Sequence, residues 1–266
     1  MRGGPADPGW TGGTATERAF CVLARNPSPM TLEGTNTWVL AEPGSDEAVV
    51  IDPGPLDEAH LQAVLAHVAA SGRRVTLTLL THGHADHAES ADRFAELTGA
   101  PVRAFGRGHD DVRPGELITV GGLDVLATAT PGHTSDSFSF VLPAEASLLT
   151  GDTVLGRGTT VVAWPDGHLE SYLESLHRIE ALTGAGAVTT LLPGHGPVQP
   201  DAAATVGYYL RHRAERLEQV RRAVEEGAHT AYEVVKRVYA DVPRDVWPAA
   251  ELSVQAQLEY LRTPHS

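Results

Sequence analysis

The stretch that decides the fold is Thr81-His82-Gly83-His84-Ala85-Asp86-His87, in which four of the seven residues can bind a metal ion. It follows the apolar, β-branched run 75–80, which predicts a buried strand. A strand holds the turn after it rigidly, and ligands gather at such strand ends in open α/β sheets. His82 and His84 can face the same side of an extended segment. Asp86 and His87 follow as the chain turns into a helix predicted over Ala88–Leu97, so the segment offers two pairs of ligands.

Three later segments repeat this arrangement, a strand followed by a turn that carries a ligand-type residue. They end in Pro131-Gly132-His133, Gly151-Asp152 and Pro193-Gly194-His195. The glycine before each of these residues lets the backbone turn sharply. With the opening motif they provide five histidines and two aspartates, the imidazole and carboxylate groups that zinc and similar divalent metals bind. Two sites of three or four ligands each, sharing one carboxylate, would use all seven residues.

The other histidines show no such pattern, and we expect them to be ordinary surface or core residues. They are His60, His67, His109, His168, His177, His212, His229 and His265. A single Pro-Gly-His would be a turn and nothing more. Four ligand-type residues within six positions at a strand end have little structural purpose, so the motif predicts a metal site.

Composition and charge narrow the class of protein. The chain has 266 residues with 42% hydrophobic and 20% charged side chains, which is typical of a globular protein with a full core. The formal net charge of −14 would repel a polyanion and disfavours a nucleic-acid partner. The single cysteine, Cys21, excludes an internal disulfide framework and fits a reducing compartment. No apolar run is long enough for a membrane span.

The order of elements predicts two domains and a tail. Residues 1–16 are rich in Gly, Pro and Thr and lack the apolar region of a signal peptide, so we expect a flexible tail and a cytoplasmic protein. Strands and helices alternate in two halves over residues 17–204, which indicates an α/β domain with two packed sheets and helices outside. A long helix over 205–226 and two shorter ones predict a small helical domain over 205–266.

The ordered motifs, from Thr81–His87 to Pro193-Gly194-His195, resemble the metallo-β-lactamase superfamily over roughly Arg18–Pro200. This resemblance implies a four-layer αββα sandwich, with the metals in a cleft between the sheet edges. It also implies how two zinc ions would divide the ligands. The first ion would bind His82, His84 and His133, the second would bind Asp86, His87 and His195, and Asp152 would bridge them.

Three further segments, Asn26–Trp38, Thr130–Ser137 and Leu155–Thr160, are similar to the β-lactamase-like protein 2 group of this superfamily. That group carries a winged-helix-like C-terminal domain and includes an endoribonuclease specific for single strands, and related members are thioesterases. Because the chain ends soon after Leu261, we expect the β-wing of such a domain to be short or absent.

The resemblance implies a hydrolase in which a hydroxide that bridges the two metals is the nucleophile. Asp86 is the predicted catalytic residue, because it can bind the second metal and orient the water or accept its proton. Thr81 and Thr134 are predicted hydrogen-bond partners of the ligands, and Arg157 is predicted to lie near the cleft. The leading hypothesis is an ester, thioester or related small acyl substrate, which the acidic chain favours.

Other hypotheses stay open from the sequence. An endoribonuclease would use the same metals on single-stranded RNA, with phosphate contacts from Arg157 and from the arginines of the long helix. Those arginines also fit a solvated face paired with glutamates. They are Arg211, Arg213, Arg216, Arg221 and Arg222. A persulfide dioxygenase would bind one iron, and a binding module without activity would have lost ligands. The native metal, the substrate and the oligomeric state, monomer or homodimer, are not decided by the sequence.

Overall fold

Two β-sheets face each other at the centre of the molecule, in a computed structural model that describes residues 9–263. The strands of the first sheet are β1 (Gly13–Thr14), β2 (Ala19–Leu23), β3 (Asn36–Leu40), β4 (Glu47–Ile51), β5 (Arg74–Leu79), β6 (Val102–Ala104) and β7 (Asp110–Asp111). They lie in chain order, antiparallel from β1 to β4 and parallel from β4 to β7.

The second sheet is built from the later part of the chain. Its strands are β8 (Leu117–Val120), β9 (Leu123–Ala129), β10 (Phe138–Leu142), β11 (Ser147–Gly151) and β12 (Thr190–Pro193). Their order is β12-β11-β10-β9-β8, and all neighbours are antiparallel except β11 and β12. A short 3₁₀ turn, Pro143–Glu145, joins β10 to β11.

The two-residue period of each strand decides which side chains fill which layer. In β4, Val49 and Ile51 lie in the core between the sheets, whereas Ala48 and Val50 belong to the cluster under an outer helix. Strands β11 and β12 divide their leucines in the same way on the other side. Because both faces are buried, these strands are apolar throughout rather than alternating.

Helices cover the outer face of each sheet and complete four layers. Helix α1 (Glu58–Ala70) packs on the first sheet through Leu61 and Val64. Helix α4 (Leu169–Gly184) packs on the second sheet, with Leu176 fully buried. This arrangement confirms the predicted αββα sandwich.

The helix predicted over Ala88–Leu97 is in fact two helices, α2 (Ala85–Ala88) and α3 (Ala91–Thr98). Between them, Ser90 donates to the carbonyl oxygen of Gly54 from its N–H at 3.3 Å and from its hydroxyl at 2.8 Å. These bonds to the loop after β4 break the helix and place the two ligand-type residues of this segment on a short turn of their own.

Part of the tail predicted over residues 1–16 is ordered. Gly13–Thr14 pairs with β2, and the indole N–H of Trp10 donates to Asn36 Oδ1 at 2.7 Å. A tryptophan that packs against the inter-sheet core therefore anchors a segment whose other residues are typical of a loose tail. Residues 1–8 lie outside the described part of the chain.

The C-terminal domain is helical, as predicted. Helices α5 (Ala202–Glu225), α6 (Ala231–Val238) and α7 (Trp247–Arg262), with a 3₁₀ turn at Arg244–Val246, enclose a small core of their own. From α5 to residue 263 the structure describes no strand. Helix α5 crosses the predicted boundary at residue 204, because its first half packs on the cluster under α4 through Tyr209. Among the described residues, no helix has both the length and the apolar character that crossing a membrane requires.

Candidate metal centre

The ligand-type residues lie on loops that leave one edge of the two sheets. The opening motif follows β5, and the loops after β9, β11 and β12 carry His133, Asp152 and His195. His84 is the residue that precedes the first turn of α2, and Asp86 and His87 lie within that turn. The structure thus brings together all seven predicted residues, from both halves of the chain.

A first cluster is formed by the rings of His82, His84 and His133. His84 Nδ1 lies 3.1 Å from His82 Nε2 and 3.0 Å from His133 Nε2. His82 and His133 are buried, whereas His84 is half-buried. Three ring nitrogens at these distances from one another can together bind one metal ion.

A second cluster is formed by Asp86, His87 and His195. His87 Nε2 and His195 Nε2 are 3.2 Å apart. Asp86 Oδ2 lies 3.1 Å from His195 Nε2 and 3.4 Å from His87 Nε2. Both rings are buried, and the carboxylate is 29% exposed. This cluster therefore offers two nitrogens and one oxygen beside the first.

Asp152 lies between the clusters. Its Oδ2 is 3.7 Å from His133 Nε2 of the first cluster and 3.3 Å from His195 Nε2 of the second, and its Oδ1 is 3.5 Å from His87 Nε2. Oδ1 is buried and has no hydrogen-bond partner among the described residues. A buried carboxylate oxygen without a hydrogen bond, on a residue that lies between both clusters, fits a bridging ligand.

The hydrogen bonds on the outer side of the rings decide which nitrogens are free. His133 Nδ1 lies 2.6 Å from the carbonyl oxygen of Val161, and His195 Nδ1 lies 3.1 Å from that of Gly34, so these nitrogens donate. When these rings are neutral, their inner nitrogens carry lone pairs. These lone pairs face the ligating atoms of neighbouring residues at close range. Such lone pairs repel one another unless a cation lies between them, so the residues fit bound metal.

Charge differs between the two clusters. Burial lowers the pKa of each histidine in the first cluster. Burial also opposes charge on His195, but the carboxylates of Asp152 and Asp86 outweigh it and raise the pKa to about 9. For Asp86, burial is outweighed by the neighbouring imidazoles, which lower its pKa to about 2. The protons of the second cluster thus balance its carboxylates, a role that a bound cation would take over.

Asp52 is a residue that the sequence analysis missed. Its carboxylate accepts hydrogen bonds from the N–H and hydroxyl of Thr81, both at 2.7 Å, and from His87 Nδ1 at 2.8 Å. Because the Thr81 hydroxyl donates to Asp52, it accepts from His82 Nδ1 at 3.0 Å. Asp52 therefore orients one histidine in each cluster. It follows the apolar strand β4, so the rule that identified the other strand-end ligands would have found it.

The three predicted residues outside the ligand set have different surroundings. Thr81 lies behind the histidines, as just described. Thr134 meets the hydroxyl of Ser137 at 2.7 Å and holds the turn around His133 through its carbonyl oxygen. Arg157 pairs with Glu33 at 2.5 Å and is half exposed. Thr81 thus supports the ligands directly, Thr134 supports the loop that carries one of them, and Arg157 lines the cavity beside the centre.

On the charged face predicted for the long helix, one arginine is buried and two others form ion pairs. Arg213 is 5% exposed and lies over the ring of Tyr172, with its guanidinium carbon 4.8 Å from the ring centre. Arg221 and Arg222 both pair with Glu218, at 2.6 and 2.9 Å. The prediction of a solvated helix face is therefore wrong for Arg213, because α5 packs against α4 at this point.

Comparisons with known proteins agree with the fold. Residues 30–195 match the metallo-beta-lactamase superfamily, and residues 230–263 match the beta-lactamase associated winged helix domain. The chain is 32% identical over 253 residues to the beta-lactamase-like protein 2 homolog of Caenorhabditis elegans, covering 90% of this chain and 82% of that protein. It is 34% identical over 251 residues to the atrochrysone carboxyl ACP thioesterase of Aspergillus fumigatus, covering 86% and 76%.

Among solved structures, a metallo-beta-lactamase family protein from Thermus thermophilus has a TM-score of 0.78 at 23% identity, covering 93% of this chain and 94% of that chain. A beta-lactamase domain protein from Burkholderia ambifaria has a TM-score of 0.77 at 22% identity, covering 94% and 87%. These two likenesses show the fold, from the sandwich to the helical C-terminal region.

Proposed function

The chain belongs to the metallo-β-lactamase superfamily and is a metal-dependent hydrolase, and on that premise we propose that it cleaves acyl thioesters with two zinc ions. The observation that carries this proposal is the pair of ligand clusters that meet at Asp152, beside a cavity with a largely apolar wall. A relative at 34% identity is named as a thioesterase, which supports this reaction class.

The two clusters support a division of the seven residues between two metal positions. The first zinc ion would be held by His82, His84 and His133, the second by Asp86, His87 and His195, and both by Asp152. Zinc bound there supplies a Lewis acid that polarises a carbonyl oxygen and makes water acidic enough to act as a nucleophile near neutral pH.

Asp86 is the residue that we assign to proton transfer. Its carboxylate is 29% exposed, and the imidazoles of His195 and His87 lower its pKa to about 2, so it is ionised at neutral pH. The hydroxyl of Thr35 donates to Asp86 Oδ2 at 3.3 Å and orients it. In the reaction, the water oxygen bonds to the thioester carbonyl carbon and a water proton passes to Asp86. The carbon–sulfur bond then breaks, and that proton leaves with the thiol.

An endoribonuclease is the second candidate, and the structure gives it less support. The net charge of −14 repels RNA as a whole. Two arginines of the long helix, Arg221 and Arg222, are paired with Glu218. Binding of an acyl thioester requires less positive charge on the protein than binding of RNA. The acyl substrate therefore fits these surroundings better.

Elemental analysis of the purified protein, run with a hydrolysis screen, tests the proposal. We expect about two zinc ions per chain and release of thiol from acyl thioesters. Asp86→Asn should lower kcat about a hundredfold or more, because a positioned acid or base contributes that much. Asp92→Asn is the matched control, since its side chain is 92% exposed on α3.

Two outcomes would contradict the proposal. Cleavage of single-stranded RNA without thioester cleavage would assign the centre to a phosphodiester. One iron per chain without hydrolysis would move the protein to the oxygenases.

A further inference from the structure

A cavity of about 350 Å³ lies between the loop 155–161 of the sandwich and the C-terminal helices. We call it the interdomain cavity. Asp152 and His133 of the metal centre form part of its wall, so a group inside it lies next to the reacting bond. At about 30 Å³ for each water-sized group, it holds on the order of ten non-hydrogen atoms.

The wall of the interdomain cavity on the C-terminal side is apolar. Val242, Val246, Ala249 and Ala250 line it there, and Leu155 faces it from the sandwich. Burial of an apolar chain against these groups is favourable in proportion to the area removed from water. This wall fits a hydrocarbon body of moderate length.

The same wall contains two positively charged guanidinium groups that form no ion pair with any carboxylate in the described part of the chain. The guanidinium groups of Arg213 and Arg216 are held by backbone carbonyl oxygens, those of Thr160 and Val238, and by aromatic rings. Arg213 is 5% exposed, and its Nε has no hydrogen-bond partner among the described residues. Asp152 is the one carboxylate in the cavity wall as described. A buried cation with this surrounding favours an anionic ligand group.

We propose that the interdomain cavity binds the acyl part of the substrate, and that this acyl group has an apolar body and carries a carboxylate. This inference rests on the proposed function, because the thioester carbonyl must lie at the metal centre. A thiol part too large for the cavity would remain on the open side of the centre, where Asp86 and His84 are partly exposed.

The test compares N-acetylcysteamine thioesters of acetic, octanoic and octanedioic acid. We expect kcat/KM to rise at least about tenfold from acetyl to octanoyl, since added methylenes gain contacts in an apolar pocket. We expect a further rise for the octanedioyl half-thioester. Calorimetry with the free acids on chelator-treated protein gives an independent reading, in which octanedioate should bind more tightly than octanoate and acetate.

Two variants assign the effect to the cavity. Ala249→Phe fills it, and the preference for octanoyl over acetyl should fall about tenfold. Ala214→Phe, at an exposed position of α5, is the matched control and should keep the preference. Arg216→Gln should reduce the preference for octanedioyl over octanoyl. Circular dichroism and thermal unfolding verify folding, and Val246→Phe replaces Ala249→Phe if that variant unfolds.

Each negative outcome identifies what has failed. Equal kcat/KM for acetyl and octanoyl thioesters in the unmodified protein would overturn the cavity assignment and leave the thioesterase proposal intact. Equal values for octanoyl and octanedioyl would overturn the assigned charge. If no thioester is cleaved, the proposed function fails, and calorimetry alone then decides whether the cavity binds the acids. Tight binding of a single-stranded oligoribonucleotide that Ala249→Phe abolishes would assign the cavity to RNA instead.

Discussion

Among single residues, Asp52 supports a histidine in each cluster of the candidate metal centre without being one of the predicted ligands. It is 1% exposed and has a positive φ of 52°, a conformation that few residues other than glycine adopt. This conformation directs its carboxylate to Thr81 and His87. A carboxylate behind a metal-binding histidine fixes the ring orientation and increases its basicity, so Asp52 should set the affinity for metal.

We predict that Asp52→Asn weakens zinc binding by about 10–100-fold, the usual effect of removing such a partner. The amide keeps the shape but loses the charge that faces His87. Competition between the protein and a zinc chelator measures the change. Asp57→Asn, at the start of α1, removes the same charge five residues away and should leave zinc affinity unchanged. An Asp52→Asn protein with undiminished affinity would show that the carboxylate is dispensable.

His212 has a half-buried ring whose Nδ1 has no hydrogen-bond partner among the described residues. Burial and the charges of Arg213 and Arg216 lower its pKa to about 4. The unfolded chain binds a proton near pH 6.5, so the native state holds fewer protons between these values. The stability that the neutral ring contributes is complete above pH 6.5 and is lost as the pH falls towards 4.

His212→Gln should therefore flatten the fall in unfolding free energy between pH 6.5 and 4, by about 1 kcal/mol after allowance for partial exposure. Urea unfolding at several pH values measures this slope. His177→Gln, an exposed position on α4, serves as control. An unchanged slope in His212→Gln would contradict the prediction.

At the scale of elements, the turn after β12 shows how closely the loops approach. A Cβ on Gly194 would lie 2.6 Å from Asp152 Oδ1 and 2.8 Å from His87 Cε1. We predict that Gly194→Ala displaces these ligands, lowers the zinc content and costs about 1–3 kcal/mol of stability through overpacking. Elemental analysis and thermal unfolding check both effects.

Gly184→Ala is the matched control for that turn. A Cβ at this position in the last turn of α4 would contact nothing within 4 Å. The substitution should keep the zinc content and raise stability by up to about 1 kcal/mol, because alanine favours a helix. If Gly194→Ala also kept its zinc content and stability, a Cβ at this position would fit without displacing Asp152 or His87, and the prediction would be wrong.

The elements themselves were largely predictable from sequence, because apolar runs and glycine turns fix strands locally. What failed depended on contacts far away in the chain. The break between α2 and α3 arises from Ser90 and its bonds to the Gly54 carbonyl. The burial of Arg213 arises from packing against α4, which a charge pattern along one helix does not contain. Asp52 was missed because its role depends on Thr81 and His87, which lie 29 and 35 residues away in the chain.

For the whole molecule, the C-terminal domain supports the metal centre through one loop. Ser253 on α7 accepts the N–H of Val162 at 3.1 Å, and the preceding residue, Val161, accepts from His133 Nδ1. The helical domain therefore helps to orient a ligand that belongs to the sandwich. This link joins two parts that the sequence presents as separate domains.

We predict that removal of the hydrogen bond between Ser253 and Val162 affects both stability and metal binding. Ser253→Ala leaves the buried Val162 N–H without an acceptor and should cost about 1–3 kcal/mol. For a protein of this size the melting temperature should fall by about 2–4 °C for each kcal/mol, and zinc affinity should fall with it. Ser171→Ala on α4 is the control. A loss of stability with unchanged zinc affinity would show that the domains are joined but not coupled.

The position of Asp152 and His195 in the second half of the chain also has a consequence for biosynthesis. His87 and His195, whose rings meet in the second cluster, are 108 residues apart. At a synthesis rate of about 5–20 residues per second, roughly 5–20 s pass between their emergence from the ribosome. A metal ion captured early would be held only by residues of the opening motif. The second cluster would be complete only once His195 has emerged, so the supply of metal at that moment would influence how much newly made protein becomes active.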